Sequence, residues 1–460
     1  MKRFLSQVLL GSLMYGALAV SAHAEVKVFR NFTLVDASKN AAVAGQAMVV
    51  DNGEITWVGA DSAVKAPAGA QAIDLTGRYV MPGLIDLHVH LGTVRDLTQT
   101  PALYNLESVK TDLRQYAAYG VTTVQSMGTD MDAIFQITKE RAGRPSYSRV
   151  YAAGQGLVYC TPLAICTTGF TGIQLKGGYG GIIPGINTPF DARDAAIREV
   201  NAQADKGADF IKIWVDDEFG TFPKMPAEIR TAIIQEAHKR GLRTLAHVFY
   251  LEDAQQLVEA GVDGFVHMVR DKPVDQAFIT QMKAKGVWQV SGTLSREASM
   301  FAFGGKPPFL DDSFFVQSLS PTALALLNSE ARQKTIAGGL RFEDYKRILA
   351  NAKSSLKGYA DAGIPYGFGT DSGPPGRYAG FFAHWELEEM VNSGLTPAQA
   401  LTAATSKSAQ WLRNDKIGSI ERGKWADLLV LDANPLIDIR NTQKISAVYI
   451  AGNLAPSVKR

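Results

Sequence analysis

Apolar and polar residues alternate in short runs over residues 25–80, and the same rhythm returns near the C-terminus. Val26-Lys-Val-Phe, Ala47-Met-Val-Val and Ile55-Thr-Trp-Val each read as a half-buried strand, because side chains two apart share a face. Asn52-Gly53, between the last two, supplies the positive-φ pair of a type I′ hairpin. At the other end, Ala426-Asp-Leu-Leu-Val-Leu-Asp and Ser446-Ala-Val-Tyr-Ile-Ala-Gly-Asn flank a break at Asn434-Pro435. Both ends therefore predict one small β-structure flanking a central domain.

The central stretch has a different period. Apolar strands are predicted over 84–91, 121–126, 150–154, 210–215, 244–248, 264–269, 287–291 and 366–370, with helical stretches between most of them. One clear helix covers 253–260, where Ala254, Leu257 and Val258 form an apolar stripe. Eight such units predict an α/β protein of the (β/α)8 TIM barrel type. A doubly wound open sheet is the competing fold, and the missing Gly-x-Gly-x-x-Gly turn weighs against it. The expected division is a leader over 1–24, the first part of a composite β-sandwich over 25–80, a barrel over 81–415, and the second part of the sandwich over 416–460.

The first residues carry a targeting pattern. Lys2-Arg3, an apolar core over 4–20 and Ala22-His23-Ala24 make a signal peptide with a small-x-small cleavage site. The apolar run is short for a bilayer span. Export is expected, to the periplasm or beyond, with the mature chain starting near Glu25. Removing Lys2 and Arg3 with the leader brings Lys+Arg level with the 45 Asp+Glu. A chain so balanced gives no reason to expect nucleic acid as a partner, or a membrane once processed. Cys160 and Cys166 are the two cysteines, in no metal or redox spacing, and a local disulfide between them is one expectation for an oxidising compartment.

Candidate chemistry begins at Tyr79-Val-Met-Pro-Gly-Leu-Ile-Asp-Leu-His88-Val-His90-Leu. Residues i and i+2 of a strand point the same way, so the two imidazoles converge at the C-terminal end of the first barrel strand, where such barrels place their chemistry. His247 ends Thr244-Leu-Ala-His, His267 ends Gly264-Phe-Val-His, and Asp371 closes Tyr366-Gly-Phe-Gly-Thr-Asp. Each lies at a predicted strand end, and the mouth of a barrel is where those ends meet. Lys212 interrupts the apolar Asp209-Phe-Ile-Lys-Ile-Trp-Val. A buried ammonium is costly and has no lone pair for a metal, whereas a neutral amine that captures carbon dioxide becomes a carbamate able to bridge two ions. The competing reading pairs Lys212 with a nearby acid or a substrate anion.

Taken together, Val80-Met-Pro-Gly-Leu-Ile-Asp-Leu-His-Val-His, Gly207-Ala-Asp-Phe-Ile-Lys-Ile, Gly369-Thr-Asp and Gly418-Ser-Ile-Glu-Arg-Gly-Lys-Trp-Ala-Asp-Leu-Leu-Val-Leu resemble the amidohydrolase superfamily. The likeness is to its imidazolonepropionase-like and Xaa-Pro and Xaa-Arg dipeptidase-like branch, over nearly all of the mature chain. It implies that His88 and His90 hold a more buried divalent metal and that carbamylated Lys212 bridges to a second. His247 and His267 would bind that second ion, while Asp371 would ligate the first and act as general base. Zinc suits such ligands best, with manganese, cobalt and iron as alternatives. The reaction implied is cleavage of an amide or peptide bond in a dipeptide or N-acyl amino acid. A lactonase, esterase or organophosphate-type hydrolase with the same centre is the alternative, and a metal-dependent binding protein without turnover is a third reading. Barrels of this branch often pair, so a homo-oligomer is a further expectation.

Specificity is expected from loops, namely the glycine-rich 157–189 and the aromatic-rich 296–338. The latter suggests an apolar or aromatic substrate group. Tyr250 and Arg270, three residues beyond His247 and His267, are candidates to meet a substrate carboxylate. His384 reads as structural and His238 as an exposed helix residue.

Overall fold

The computed structural model describes residues 26–161, 188–217, 220, 223–339 and 341–457. The leader, Cys166 and most of the glycine-rich segment lie outside the described residues.

Both ends of the chain meet in one eight-stranded sheet. Its order runs Asn453–Leu454, Ile445–Ile450, Leu428–Leu431, Tyr79–Pro82, Val26–Asp36, Ala41–Asp51 and Glu54–Ala60, with Gln71–Asp74 beside Val26–Asp36. Leu429 lies opposite Met81 and Val430 opposite Val80, so the C-terminal segment zips onto the strand that leads into the barrel. The expected hairpin is present, with Asp51 paired to Glu54 across Asn52 and Gly53, at φ of 49° and 89°. Phe29, Phe32, Met48, Val50, Ile55, Val80, Leu428 and Val430 bury their side chains in a core belonging to this composite β-sandwich.

Pro82-Gly83 is the crossing point into the barrel. The Gly83 N–H donates to Asp427 O at 2.9 Å. A Cβ at Gly83 would fall 2.2 Å from Thr122 Oγ1, so only glycine lets the entering chain approach its neighbour this closely.

All eight expected barrel strands are found. Leu84–Val89, Val121–Ser126 and Arg149–Ala152 form one parallel ladder. Phe210–Trp214, Arg243–His247, Gly264–Phe265 and Trp288–Gln289 form another. The Asp209 N–H joins the two groups by donating to Ala152 O at 2.9 Å. Residues 366–372 close the ring as the eighth strand, bridged in parallel to Gln289 at Tyr366 and to Val89 at Ser372. Helices return the chain between strands, and Leu251–Ala260 does so by burying Leu251, Ala254, Leu257 and Val258. Among the described residues, no helix is long and apolar enough to cross a membrane.

Two further strands were not foreseen. Leu157–Tyr159 and Thr188–Phe190 pair in parallel, and the first also pairs with Phe210–Trp214. Cys160 follows directly and is buried. The aromatic stretch after the seventh strand folds into short helices including Leu294–Ala302, Ser313–Val316 and Pro321–Leu327. Its rings pack on each other and on the helix Phe381–Asn392, with Phe309 4.9 Å from Phe315 and Phe315 4.6 Å from Phe381 between centroids. Rings committed to that packing lend no support to an aromatic substrate.

Candidate metal centre

The first half of the site is set by backbone. His88 lies in the strand Leu84–Val89, which is buried throughout, and His90 just beyond it. The Asp371 N–H donates to His88 O at 2.7 Å, and the His90 N–H donates to Ser372 O at 2.8 Å. Two glycines permit this contact: a Cβ at Gly369 would sit 2.8 Å from His88 N, and one at Gly373 only 2.0 Å from His90 O. Asp371 itself takes a left-handed φ of 58°. Its Oδ1 then lies 2.9 Å from His90 Nε2 and 3.5 Å from His88 Nε2.

The remaining ring nitrogens are tied down behind. His88 Nδ1 lies 2.9 Å from Val266 O; a carbonyl only accepts, so Nδ1 carries the proton and Nε2 presents its lone pair. His90 Nδ1 meets Thr129 Oγ1 at 2.8 Å. Burial lowers both imidazoles from their ordinary value and keeps them neutral, as ligands must be, although Asp371 pulls the other way. Beneath them Asp86 accepts from His88 N at 3.0 Å, Thr370 N at 3.1 Å and Thr370 Oγ1 at 2.7 Å. Asp86 therefore stitches the first strand to the eighth, and burial pushes its carboxyl up to about 7.

Lys212 occupies the middle of Phe210–Trp214 with 0% exposure, and its Nζ has no hydrogen-bond partner. The Nζ lies 4.4 Å from the Trp214 ring centroid. Burial lowers the amine to about 7, against the pull of Asp371 and Asp216. An orphaned buried amine with so reduced a proton affinity is what a lysine that exchanges its proton for a covalent group requires.

The second half is set by side chains. His247 ends Arg243–His247, with Nε2 3.0 Å from Asp216 Oδ2. Burial brings His247 down to about 4 in spite of Asp216. His267 follows Gly264–Phe265, and its Nδ1 meets Thr293 Oγ1 at 2.9 Å. Thr293 is β-branched yet left-handed, at φ 54°, a conformation such residues rarely adopt; its N–H donates to Gly369 O at 3.0 Å. The four rings run in file across the mouth: centroids are 5.4 Å apart from His90 to His88, 4.8 Å from His88 to His267, and 4.1 Å from His267 to His247. Among the described residues, the His, Cys, Asp and Glu group whose ligand atoms lie within 4.8 Å of one another is His88, His90 and Asp371.

Arg270 donates from Nη1 to Val248 O at 2.6 Å and Met268 O at 3.0 Å, the residues that follow His247 and His267, and its Nε lies 3.0 Å from Glu297 Oε1. It thus clamps the two strand ends together. Tyr250 caps the start of Leu251–Ala260, and its hydroxyl donates to Asp217 Oδ1 at 2.9 Å. His384 is buried, with Nε2 on Tyr119 O at 2.9 Å and Nδ1 on Thr442 Oγ1 at 3.0 Å, a structural use of both nitrogens. His238 lies in Ala227–Lys239, paired with Asp263 at 2.9 Å. Sequence reasoning passed over Asp216, Arg296, Glu297 and Arg377. Arg296-Glu297 was visible as an adjacent charged pair inside an otherwise apolar helix start; Arg377 carried no such signal.

A (β/α)8 barrel with imidazoles and a carboxylate converging at its mouth defines a metal-dependent hydrolase. The chain belongs to the amidohydrolase family, whose model matches residues 79–455. It is 24% identical over 434 residues to an ochratoxinase of Aspergillus niger, covering 87% of this chain and 80% of that protein. It is 25% identical over 393 residues to an imidazolonepropionase of Streptomyces avermitilis, covering 84% and 80%. Among solved structures, a putative prolidase from Bifidobacterium longum superposes with a TM-score of 0.72 at 25% identity, over 95% of this chain and 96% of that one. The donor set fits the family's metal dependence: neutral imidazoles oriented from behind, an adjoining carboxylate, and a partnerless amine.

Proposed function

We propose that this chain is a binuclear metal hydrolase that cleaves an amide or peptide bond in a small substrate of dipeptide or N-acyl amino acid type. The observation that carries the proposal is the fully buried Lys212 Nζ, which lacks any hydrogen-bond partner and whose charge is felt by the buried imidazoles of His88, His90 and His247. With its proton affinity lowered to about 7, about half of this amine is neutral at neutral pH and able to add to carbon dioxide. The added group is a carbamate, formed with release of one proton, and it offers two oxygens where the ammonium offered none.

His88, His90 and Asp371 would hold one ion, His247 and His267 the other, with the Lys212 carbamate shared between them. Zinc is the first choice for such donors. Divalent ions bound there supply Lewis acidity toward the substrate carbonyl and lower the pKa of a water toward neutrality. Asp371 accepts the proton of the attacking water and delivers it to the departing nitrogen. Thr129, Thr293 and Val266 keep the imidazoles aimed during this exchange. The family, and a relative described as a putative prolidase, support a carbon–nitrogen bond as the target. Export belongs to the same proposal, on the leader pattern of residues 1–24; N-terminal sequencing of protein recovered outside the cytoplasm should read from Glu25.

The test is purified protein, analysed for metal and screened against N-acyl amino acids and dipeptides alongside matched esters and lactones. Amide turnover that disappears with a chelator and returns with zinc is expected. Fully metallated protein that cleaves only esters or lactones, or nothing, overturns the proposal.

A further inference from the structure

The helix Leu294–Ala302 begins without a cap from its own N-cap side chain. Its N-cap residue is Thr293, a type that ordinarily turns its hydroxyl onto the N–H groups of the first turn. Here the backbone is left-handed, at φ 54°, and the side chain accepts none of them. The hydroxyl instead meets His267 Nδ1 at 2.9 Å, while the Thr293 N–H donates to Gly369 O at 3.0 Å.

The first-turn donors are met from another element. Glu386 stands on the helix Phe381–Asn392, beyond the eighth strand, and is 0% exposed. Its Oε1 accepts from Leu294 N at 3.0 Å, and its Oε2 accepts from Ser295 N and Ser295 Oγ at 2.7 Å each. A carboxylate also suits the partial positive charge of a helix start. Gly292 completes the fit, since a Cβ there would stand 3.0 Å from Glu386 Oε1.

The segment seated in this way touches the candidate centre at three places. Ser291 Oγ lies 3.2 Å from His88 Nδ1, Thr293 backs His267, and Arg296 Nε lies 2.9 Å from Asp371 Oδ2, an oxygen to which Arg377 also donates. His88 and Asp371 are joined by backbone as well, and His88 Nδ1 also meets Val266 O. His267 takes its rear contact from Thr293, so it depends most on where that residue sits.

We propose that Glu386 is a positioning residue for the second metal ion: by capping Leu294–Ala302 in place of Thr293, it releases the Thr293 hydroxyl to orient His267. Without the carboxylate, first-turn N–H groups are left unsatisfied, and Thr293 returns to ordinary cap duty by turning its hydroxyl away from the imidazole. The inference rests on the binuclear reading and deepens it, by naming a residue remote from the ligands on which one of the two ions depends.

The experiment is chelator competition, which reads the two equivalents of zinc separately. Glu386→Gln keeps the volume but turns an amide N–H2 toward donors. It should weaken the second equivalent about tenfold or more and leave the first nearly unchanged. Gly292→Ala, which retains the carboxylate but crowds its Oε1, should move the second equivalent in the same direction and carries the test should Glu386→Gln fail to fold. Combined with Thr293→Val, Glu386→Gln should add nothing to the loss caused by Thr293→Val alone, because both act through one hydroxyl. His384→Asn, on the same helix but bonded to Tyr119 O and Thr442 Oγ1, should lower the melting temperature and leave both equivalents in place. Losses that multiply in the double variant, equal weakening of both equivalents, or a second equivalent unmoved by Glu386→Gln and Gly292→Ala overturns the positioning role. So does a His384→Asn protein that loses its second ion as readily. Wild-type protein that binds a single equivalent instead overturns the binuclear reading, and the inference with it.

Discussion

The two halves of the candidate metal centre are built by different means. His88, His90 and Asp371 stand on adjacent strands whose backbones bond directly, at 2.7 Å from Asp371 N to His88 O and 2.8 Å from His90 N to Ser372 O, and Asp86 ties the same strands from beneath. His247 and His267 stand where regular pairing is running out: the strand before His267 is the two residues Gly264–Phe265. Their geometry comes from Thr293, Asp216 and the Arg270 clamp. Backbone pairing is lost only cooperatively, whereas side-chain supports are removed one at a time. The first half is therefore the rigid reference, and the second is the half that substitutions can detach from it.

The widest break comes from residues on which both halves depend. Asp371→Asn should lower kcat by about a thousandfold or more, since the proton acceptor is lost while its volume is kept. Lys212→Ala should do the same and in addition bind fewer than two equivalents of metal. Full turnover with two equivalents in Lys212→Ala would remove the joint between the halves.

Next in size is a direct test of rigidity. In Gly373→Ala the new Cβ would lie 2.0 Å from His90 O, at a backbone φ of 114°. A cost on the order of 2–4 kcal/mol in unfolding free energy is expected from denaturant titration. A neutral outcome would mean that this half yields as readily as the other.

A third comparison sets the rear supports against each other. Thr129→Val removes the hydroxyl on His90 Nδ1, and Thr293→Val the one on His267 Nδ1. Each should weaken metal affinity about 10–100-fold, measured by chelator competition, and on different equivalents: the first ion for Thr129→Val, the second for Thr293→Val. If both substitutions weaken the same equivalent, the division into halves fails.

How far the site was legible follows the same division. The eight barrel strands announce themselves as apolar runs, and ligands at strand ends can be read because strand direction fixes where those ends gather. His88-x-His90 is legible for that reason, as is Asp371 at the end of Gly-Phe-Gly-Thr. Arg377 and Asp216 were not, because their positions depend on turns and ion pairs closed by residues distant in sequence. Arg270 reads as a candidate substrate contact from its place three residues after His267, but spacing cannot show that Val248 O and Met268 O accept from its Nη1. The strand Leu157–Tyr159 was hidden in an expected loop, since its pairing with Phe210–Trp214 is a tertiary event with no local period.

The smallest expected effect concerns pH, and it probes the residue that joins the halves. Burial lowers the Lys212 amine to about 7, so the neutral form that adds to carbon dioxide dominates above that value and declines below it. Between about pH 8 and about pH 6 the neutral fraction falls by close to tenfold. Reconstituting metal-stripped protein with zinc and isotopically labelled bicarbonate at both values should therefore give a strong carbamate carbon signal at the higher pH and a weak one at the lower. The His88, His90 and Asp371 half does not need the carbamate to keep its shape. At the lower pH its ion should still load while the second equivalent lags. Equal loading of both ions at both values would show that the second half stands without Lys212, and that the two halves are more alike than their construction suggests.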